Sequence, residues 1–283
     1  MKRKAYAKIN IALDAVGKRD DGYHLLRMIM QTVDIYDLIE VRKNYLGKIR
    51  ITTNKYYLPT DERNLAYKAA QLFIDKFKIK SGVDISIKKN IPVAAGMAGG
   101  STDAAAVLFL MNKVFNINAS KKELEKLAVK IGADVPYCIE GGTALCEGIG
   151  EKITKLKRFR DKILVIVKPN FGVSTKDVYK ALDINKIHRH VDIEDIIKHM
   201  NDNDIVSVSN KMKNVLENVT IRKYKVIREI KEELVLNGAT GSMMSGSGPT
   251  VFGFFEDMLT AQRAYEKMKE KYKYSEIFIT RTI

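Results

Sequence analysis

Near its start the chain alternates apolar and polar positions. "KAYAKINIALDAVGK" reads as an extended pair, or as one strand with a turn at Gly17. "RDDGYHLLRMIMQTVDIYDLIEVRK" places a turn at Asp20-Asp21-Gly22, followed by extended segments rich in Ile, Val and Tyr. The period then changes. In "DERNLAYKAAQLFIDKF", Leu65, Ala69, Leu72 and Phe73 fall near helical spacing, with Asp61 placed to cap the helix. "VDISIKKNIPVA" is a strand that runs into a glycine-rich stretch. Ser101 then caps a helix containing "DAAAVLFLMNKVF", and "SKKELEKLAVKIG" is a second helix ended by Gly132. "ADVPYCIEGGTALCEGIGEKITKL" returns to strands and turns.

A charged stretch at Lys155–Arg160 precedes the strand "KILVIVKPN" and marks a boundary, giving domains 1–155 and 156–283. Beyond it, "STKDVYKAL", "VDIEDIIKHM", "KYKVIREIKEEL" and "LTAQRAYEKMKEKY" carry helical patterns, and "EIFITRTI" is a closing strand. Strands and helices mix without strict alternation, so the fold class is α+β rather than a doubly wound sheet.

Composition narrows the class. With 46% hydrophobic and 29% charged residues, the chain can bury a sizeable core. No apolar run approaches the ~20 residues that span a bilayer, and the basic start lacks an apolar signal segment, so the expectation is a cytoplasmic protein that makes no use of a membrane. Cys138 and Cys146 are the only cysteines and read as two reduced thiols; the four histidines show no zinc-ligand spacing. The net charge of +15 attracts anions, whether nucleic acid, anionic lipid or a phosphorylated small molecule. The basic residues are scattered rather than gathered in a tail, which weighs against nucleic acid as the partner.

The segment "IPVAAGMAGGSTDAAA" carries the most specific chemistry. Glycines at a helix start let unpaired N–H groups converge on a phosphate, and the helix end supplies partial positive charge. Gly100 runs directly into Ser101, so this is no Walker A loop, and GxGxxG is absent. A second glycine-rich segment, "GATGSMMSGSGPTVFGFF", ends in an apolar strand, with Gly246-Ser247-Gly248 forming a tight turn. Two such loops suit the walls of one cleft for an extended anion.

These two motifs resemble the second and third motifs of the GHMP kinases, and "AYAKINIAL" resembles the first. "RDDGYHLLRMIMQTVDIYD" and "IGADVPYCIEGGTALCEGIGEKI" narrow the likeness to the branch whose substrate is a cytidine diphosphate-linked methylerythritol. The resemblance implies an N-terminal domain like domain 2 of ribosomal protein S5, a ferredoxin-like C-terminal domain, and an active site in the cleft between them. It implies ATP as phosphate donor, with Mg²⁺ accompanying it, and a monomer or homodimer without nucleic acid. Competing readings are another GHMP kinase, of the homoserine or mevalonate type, and a basic RNA-binding protein with an S5-like fold.

The resemblance also implies roles. Asp134 is the base and Lys8 its partner; without the likeness, Asp134 reads equally as an Asx-turn residue and Lys8 as a strand-edge lysine. Asn10 shares the face of Lys8 and bonds the polyol. His24 reads the cytosine and Tyr23 beside it also binds substrate, with Phe171 and Tyr179 as candidate stacking aromatics. Asn64 either caps its helix or touches adenine. Pro92, Ala94, Gly96, Met97, Ala98, Gly99, Gly100, Ser101 and Thr102, with Ser247 and Gly248, hold ATP.

Overall fold

The computed structural model describes residues 1–283. In chain order the elements are β1 (Lys2–Lys18), β2 (His24–Asn44), β3 (Ile49–Thr53), α1 (Leu65–Phe77), β4 (Gly82–Lys88), α2 (Gly99–Val114), α3 (Lys121–Ile131), α4 (Val135–Glu140), β5 (Thr143–Gly148), β6 (Lys152–Lys155) and β7 (Ile163–Lys168). There follow α5 (Thr175–Ala181), α6 (Ile193–Asn201), α7 (Ile205–Lys211), β8 (Lys213–Asn214), α8 (Glu217–Lys223), α9 (Val226–Leu236), β9 (Gly241–Met244), β10 (Val251–Phe255), α10 (Met258–Lys271) and β11 (Glu276–Arg281). The chain forms two compact units, one of residues 1–7, 35–91 and 98–141, the other of residues 8–34, 92–97 and 142–283. They interleave along the sequence, whereas the expected boundary at 155/156 separates consecutive domains.

In the first unit the later part of β2 pairs antiparallel with β4, and β3 pairs parallel with β4. Ile39, Val41, Ile85 and Ile87 pack against Ala66, Ala69 and Phe73 of α1 and Ala104, Val107 and Met111 of α2. The small alanines let the two helices approach the sheet closely while burying their apolar faces, the main source of stability here. Asn64, not Asp61, caps α1: its Oδ1 accepts from the Ala66 N–H at 2.9 Å. Asp61 lies three residues too early and instead binds Arg63. Ser120 and Glu123 form a capping box on α3. Residues 135–140, expected as strand and turn, form α4, because Pro136 in the first turn presets helical φ and Gly141 ends it.

In the second unit β1 runs unbroken through Gly17, and the turn falls at Arg19–Tyr23, where Gly22 takes φ +87°. The early part of β2 pairs with β5, β5 with β6, and β1 with the short β8. A separate antiparallel sheet has the order β11-β7-β10-β9. With α9 and α10 against it, this is a β-α-β-β-α-β arrangement of ferredoxin-like order. Every residue of β10 is buried, and α9 and α10 contribute Ile227, Ile230, Leu234, Ala261, Ala264 and Met268. The short α7, α8 and β8 carried no readable period in the sequence.

Candidate active site

Between β4 and α2 the backbone turns through left-handed φ at Ala94 (52°), Gly96 (70°) and Ala98 (57°). Two of these are non-glycine residues, so the loop holds strain of about 1–3 kcal/mol at each, which packing must offset. Gly96 has a second reason to lack a side chain. A Cβ there would lie 2.2 Å from the Ser245 carbonyl oxygen. Ser245 in turn donates its hydroxyl to the Gly96 carbonyl at 2.9 Å.

Helix α2 begins at Gly99, two residues before the Ser101 expected to cap it. Its N-cap is Ala98, whose methyl group caps nothing. The left-handed Ala98 redirects the chain early, so Ser101 falls inside the first turn. The Thr102 N–H reaches the Ala98 carbonyl at 2.9 Å, while the N–H groups of Gly99, Gly100 and Ser101 have no partner within the helix. A helix start stripped of its side-chain cap is suited to an external anion.

The second glycine segment is the β9–β10 hairpin, with left-handed Gly246 (55°) and Gly248 (86°). It is fastened from several sides. The buried Asn214 donates to the Met244 and Gly246 carbonyls, both at 2.8 Å. Thr220 donates to the Ser247 carbonyl, and the Ser247 hydroxyl meets that of Thr175 at 2.8 Å. Asn214 escaped the sequence reading because a lone Asn in a two-residue strand leaves no pattern.

Lys8 and Asn10 point from one face of β1, both buried, and the Lys8 ammonium donates to Asn10 Oδ1 at 2.7 Å. The Lys8 N–H also holds the Met97 carbonyl at 3.2 Å, tying this part of the strand to the glycine stretch. Asp134 occupies the N-cap position of α4 in helical conformation and makes no side-chain cap. The Asx-turn reading has no donor, since residue i+2 is Pro136, which lacks an N–H. Asp134 and Lys8 belong to different compact units. Both polar ends of Asn64 are engaged by backbone, Oδ1 by Ala66 and Nδ2 by the Pro59 carbonyl at 2.8 Å, which is its capping role.

His24 is 7% exposed, and its Nε2 is buried without a hydrogen-bond partner. The Tyr179 ring lies 5.5 Å away, tilted by 34°. Burial, then the nearby Lys18 charge, push the His24 pKa down; a backbone hydrogen bond to Leu182 opposes them. The neutral imidazole therefore prevails around pH 7, with Leu182 orienting the ring. Tyr23 is largely exposed. Phe171, paired in expectation with Tyr179, instead stacks on Tyr224 at 4.8 Å and 22°, an aromatic the sequence reading missed.

No three His, Cys, Asp or Glu side chains converge into a metal cage. No helix is long and apolar enough to cross a membrane.

Fold and loops together define a small-molecule kinase of the GHMP class. The model of the GHMP kinases N terminal domain matches residues 64–142, and that of the GHMP kinases C terminal domain matches 192–273. A 4-diphosphocytidyl-2-C-methyl-D-erythritol kinase of Clostridium perfringens (strain SM101 / Type A) is 69% identical over the whole chain and 98% of its own length. The protein of that name from Clostridium beijerinckii is 64% identical, with both chains covered completely. The crystal structure of a 4-(cytidine 5'-diphospho)-2C-methyl-D-erythritol kinase superposes with a TM-score of 0.84 at 29% identity, covering 100% of this chain and 99% of that one. A homoserine kinase from Cytophaga hutchinsonii, 20% identical, shares the fold with a TM-score of 0.75, over 97% of this chain and 94% of that one. The chain belongs to the 4-diphosphocytidyl-2-C-methyl-D-erythritol kinase family of the GHMP kinases.

Proposed function

We propose that the protein transfers the γ-phosphoryl group of ATP to the 2-hydroxyl of 4-diphosphocytidyl-2-C-methyl-D-erythritol, in the methylerythritol phosphate route to isoprenoid precursors. The observation that carries the substrate is the buried Nε2 of His24, without a partner and beside Tyr179. A polar atom left unpaired at that depth is costly unless a ligand completes it. The hydrogen-bonding edge of cytosine is such a ligand, and Tyr179 offers it a ring face. A base lacking the complementary group leaves His24 unpaired, which makes this a sharp discriminator.

The uncapped start of α2 supports the ATP end. The N–H groups of Gly99, Gly100 and Ser101 bind phosphate oxygens. Mg²⁺ accompanying ATP would supply charge neutralisation on the phosphates, and this chain's contribution there would be the backbone N–H groups at the start of α2. In the reaction the 2-hydroxyl oxygen forms a bond to Pγ while the bond from Pγ to the β–γ bridging oxygen breaks and ADP departs. Asp134 receives the hydroxyl proton, and Lys8 counters the charge on the attacking oxygen. Asn10, bonded to Lys8, orients that ammonium and the polyol.

An ADP-release assay tests this reading. Turnover is expected with ATP and the cytidine diphosphate-linked substrate, and none with bare methylerythritol phosphate. Equal turnover with both, or with homoserine or mevalonate, overturns it.

A further inference from the structure

We infer that the buried cluster of Asp37, Lys89 and Asp103 is a clamp that sets the geometry of the phosphate loop, with Lys89 and Asp103 acting as positioning residues for ATP. This rests on the phosphate-binding role proposed above for the start of α2.

The cluster joins the two ends of the loop. The Lys89 ammonium donates to Asp37 Oδ2, and to Asp103 Oδ2 at 2.8 Å; all three side chains are at most 5% exposed. Asp37 Oδ1 also accepts the N–H groups of Asn90 at 2.6 Å and Ile91 at 2.9 Å. On the other side Asn54 accepts from the Lys89 N–H and donates to its carbonyl. The chain is thus fixed as it leaves for the loop at residues 89–91. Asp103 fixes it again in the opening turns of α2.

The clamp sits directly beneath the helix start. A Cβ built on Gly99 would lie 3.2 Å from the Lys89 ammonium and 3.2 Å from Ile91 Cγ2. The missing side chain at Gly99 therefore serves the inner surface of the loop as well as the outer. It lets Lys89 reach Asp103 under the N–H groups that face the phosphates.

Stability alone is a poor reason for such a cluster. Buried ion pairs often do no better than an apolar replacement, because desolvation offsets their attraction. Their better-attested use is to specify one arrangement over others. The charge state fits a clamp. Burial first, then the neighbouring Asp37, raise the Asp103 pKa well above the usual carboxylate range, against the pull of Lys89. Its Oδ1, also buried, has no partner, so Asp103 is held through Oδ2, which accepts from Lys89. A loop carrying strained Ala94 and Ala98 needs such an anchor, since relaxation would spread the N–H groups it presents.

The test compares Asp103→Leu with Asp103→Asn. The asparagine keeps an acceptor for Lys89 and is expected to match the parent enzyme. The leucine removes the tie but leaves the Lys89–Asp37 pair intact. It should raise the KM for ATP roughly tenfold or more, as expected when about 1.4 kcal/mol of charge-assisted N–H contact to the phosphates is lost from ground state and transition state alike. The KM for the cytidine substrate, and kcat at saturating ATP, should change little. A purely structural role would not split the two KM values. A folded Asp103→Leu with unchanged ATP KM overturns the clamp. Should that variant fail to fold, the neutral triple Lys89→Met/Asp37→Asn/Asp103→Leu replaces it, read by the same criterion. Gly100→Leu separates the two ideas. If it leaves ATP affinity unchanged by calorimetry, the loop itself does not bind ATP. If it weakens ATP while the clamp variants do not, the clamp alone is wrong.

Discussion

Ser245 donates its hydroxyl to the carbonyl of Gly96 at 2.9 Å, across 149 positions of sequence. The two glycine segments are thereby in direct contact, and Gly96 is shaped by its neighbour as much as by any ligand. Gly96→Ala combines a left-handed φ with a Cβ 2.2 Å from the Ser245 oxygen, and should cost about 2–4 kcal/mol. A Cβ at Gly100 meets only Leu65 Cδ1, at 3.4 Å, so Gly100→Ala should shift stability by less than about 1 kcal/mol. Urea unfolding of both variants checks the contrast; equal effects would remove the packing argument for Gly96.

Asn214 is the internal strut of the second loop, bonding two carbonyls at 2.8 Å from a buried position. Asn214→Ala leaves both acceptors buried and unpaired and should cost on the order of 1–3 kcal/mol for each acceptor left unmade. Denaturant midpoints measure it, and a loss under half a kcal/mol would show that water replaces the amide.

His24 gives the site a pH dependence with a definite sign. Its folded pKa lies below the ordinary 6.5, chiefly through burial. Between those two values the unfolded chain binds the extra proton, so stability is complete above pH 6.5 and falls as pH drops towards the folded pKa. Chemical denaturation at pH 7.5 and 5.5 should show a smaller acid loss in His24→Gln than in the parent. An identical loss in both would mean the imidazole does not titrate against burial.

Binding at the same residue is separable from stability. His24→Ala should raise the KM for the cytidine substrate and relax the preference for cytidine over uridine, by the equivalent of roughly 1–3 kcal/mol for a buried polar contact. The KM for ATP should hold. Steady-state kinetics with the two nucleotide substrates decides it; unchanged discrimination would take base reading away from His24.

Asp134→Asn preserves shape but cannot take a proton, and should lower kcat by roughly 10²–10⁴-fold, the usual contribution of a general base. Substrate and ATP affinities should change little. Lys8→Met should also lower kcat, and the double variant should lose far less than the product of the two, as for groups acting as a unit. Pre-steady-state burst measurements distinguish chemistry from release. Multiplicative losses would mean that the two residues act independently.

The sequence by itself determined whatever is encoded within a few neighbours. The period-2 run of β1 and β2, the helical spacing of α1, the Ser120 capping box and the glycine signatures are local. Local patterns were enough for the α+β class and for the family. Even nearby, competing choices were settled by geometry. Asn64 rather than Asp61 caps α1, and Ala98 displaces Ser101 from its cap, because backbone direction and not residue preference fixes which side chain reaches the first turn.

Only the tertiary structure decided the long-range pairings. Lys89 reads in sequence as one lysine in "KKN", yet it lies buried between two aspartates, Asp37 and Asp103, from separate elements. Phe171 takes Tyr224, Tyr179 takes His24, and Asn214 fastens a hairpin thirty residues on. Such partners follow from the packing of apolar surfaces on many elements at once, which brings distant polar groups together and forces each to find a hydrogen bond once water is excluded. A sequence window holds the donors and acceptors; which of them meet depends on a core built from residues outside that window.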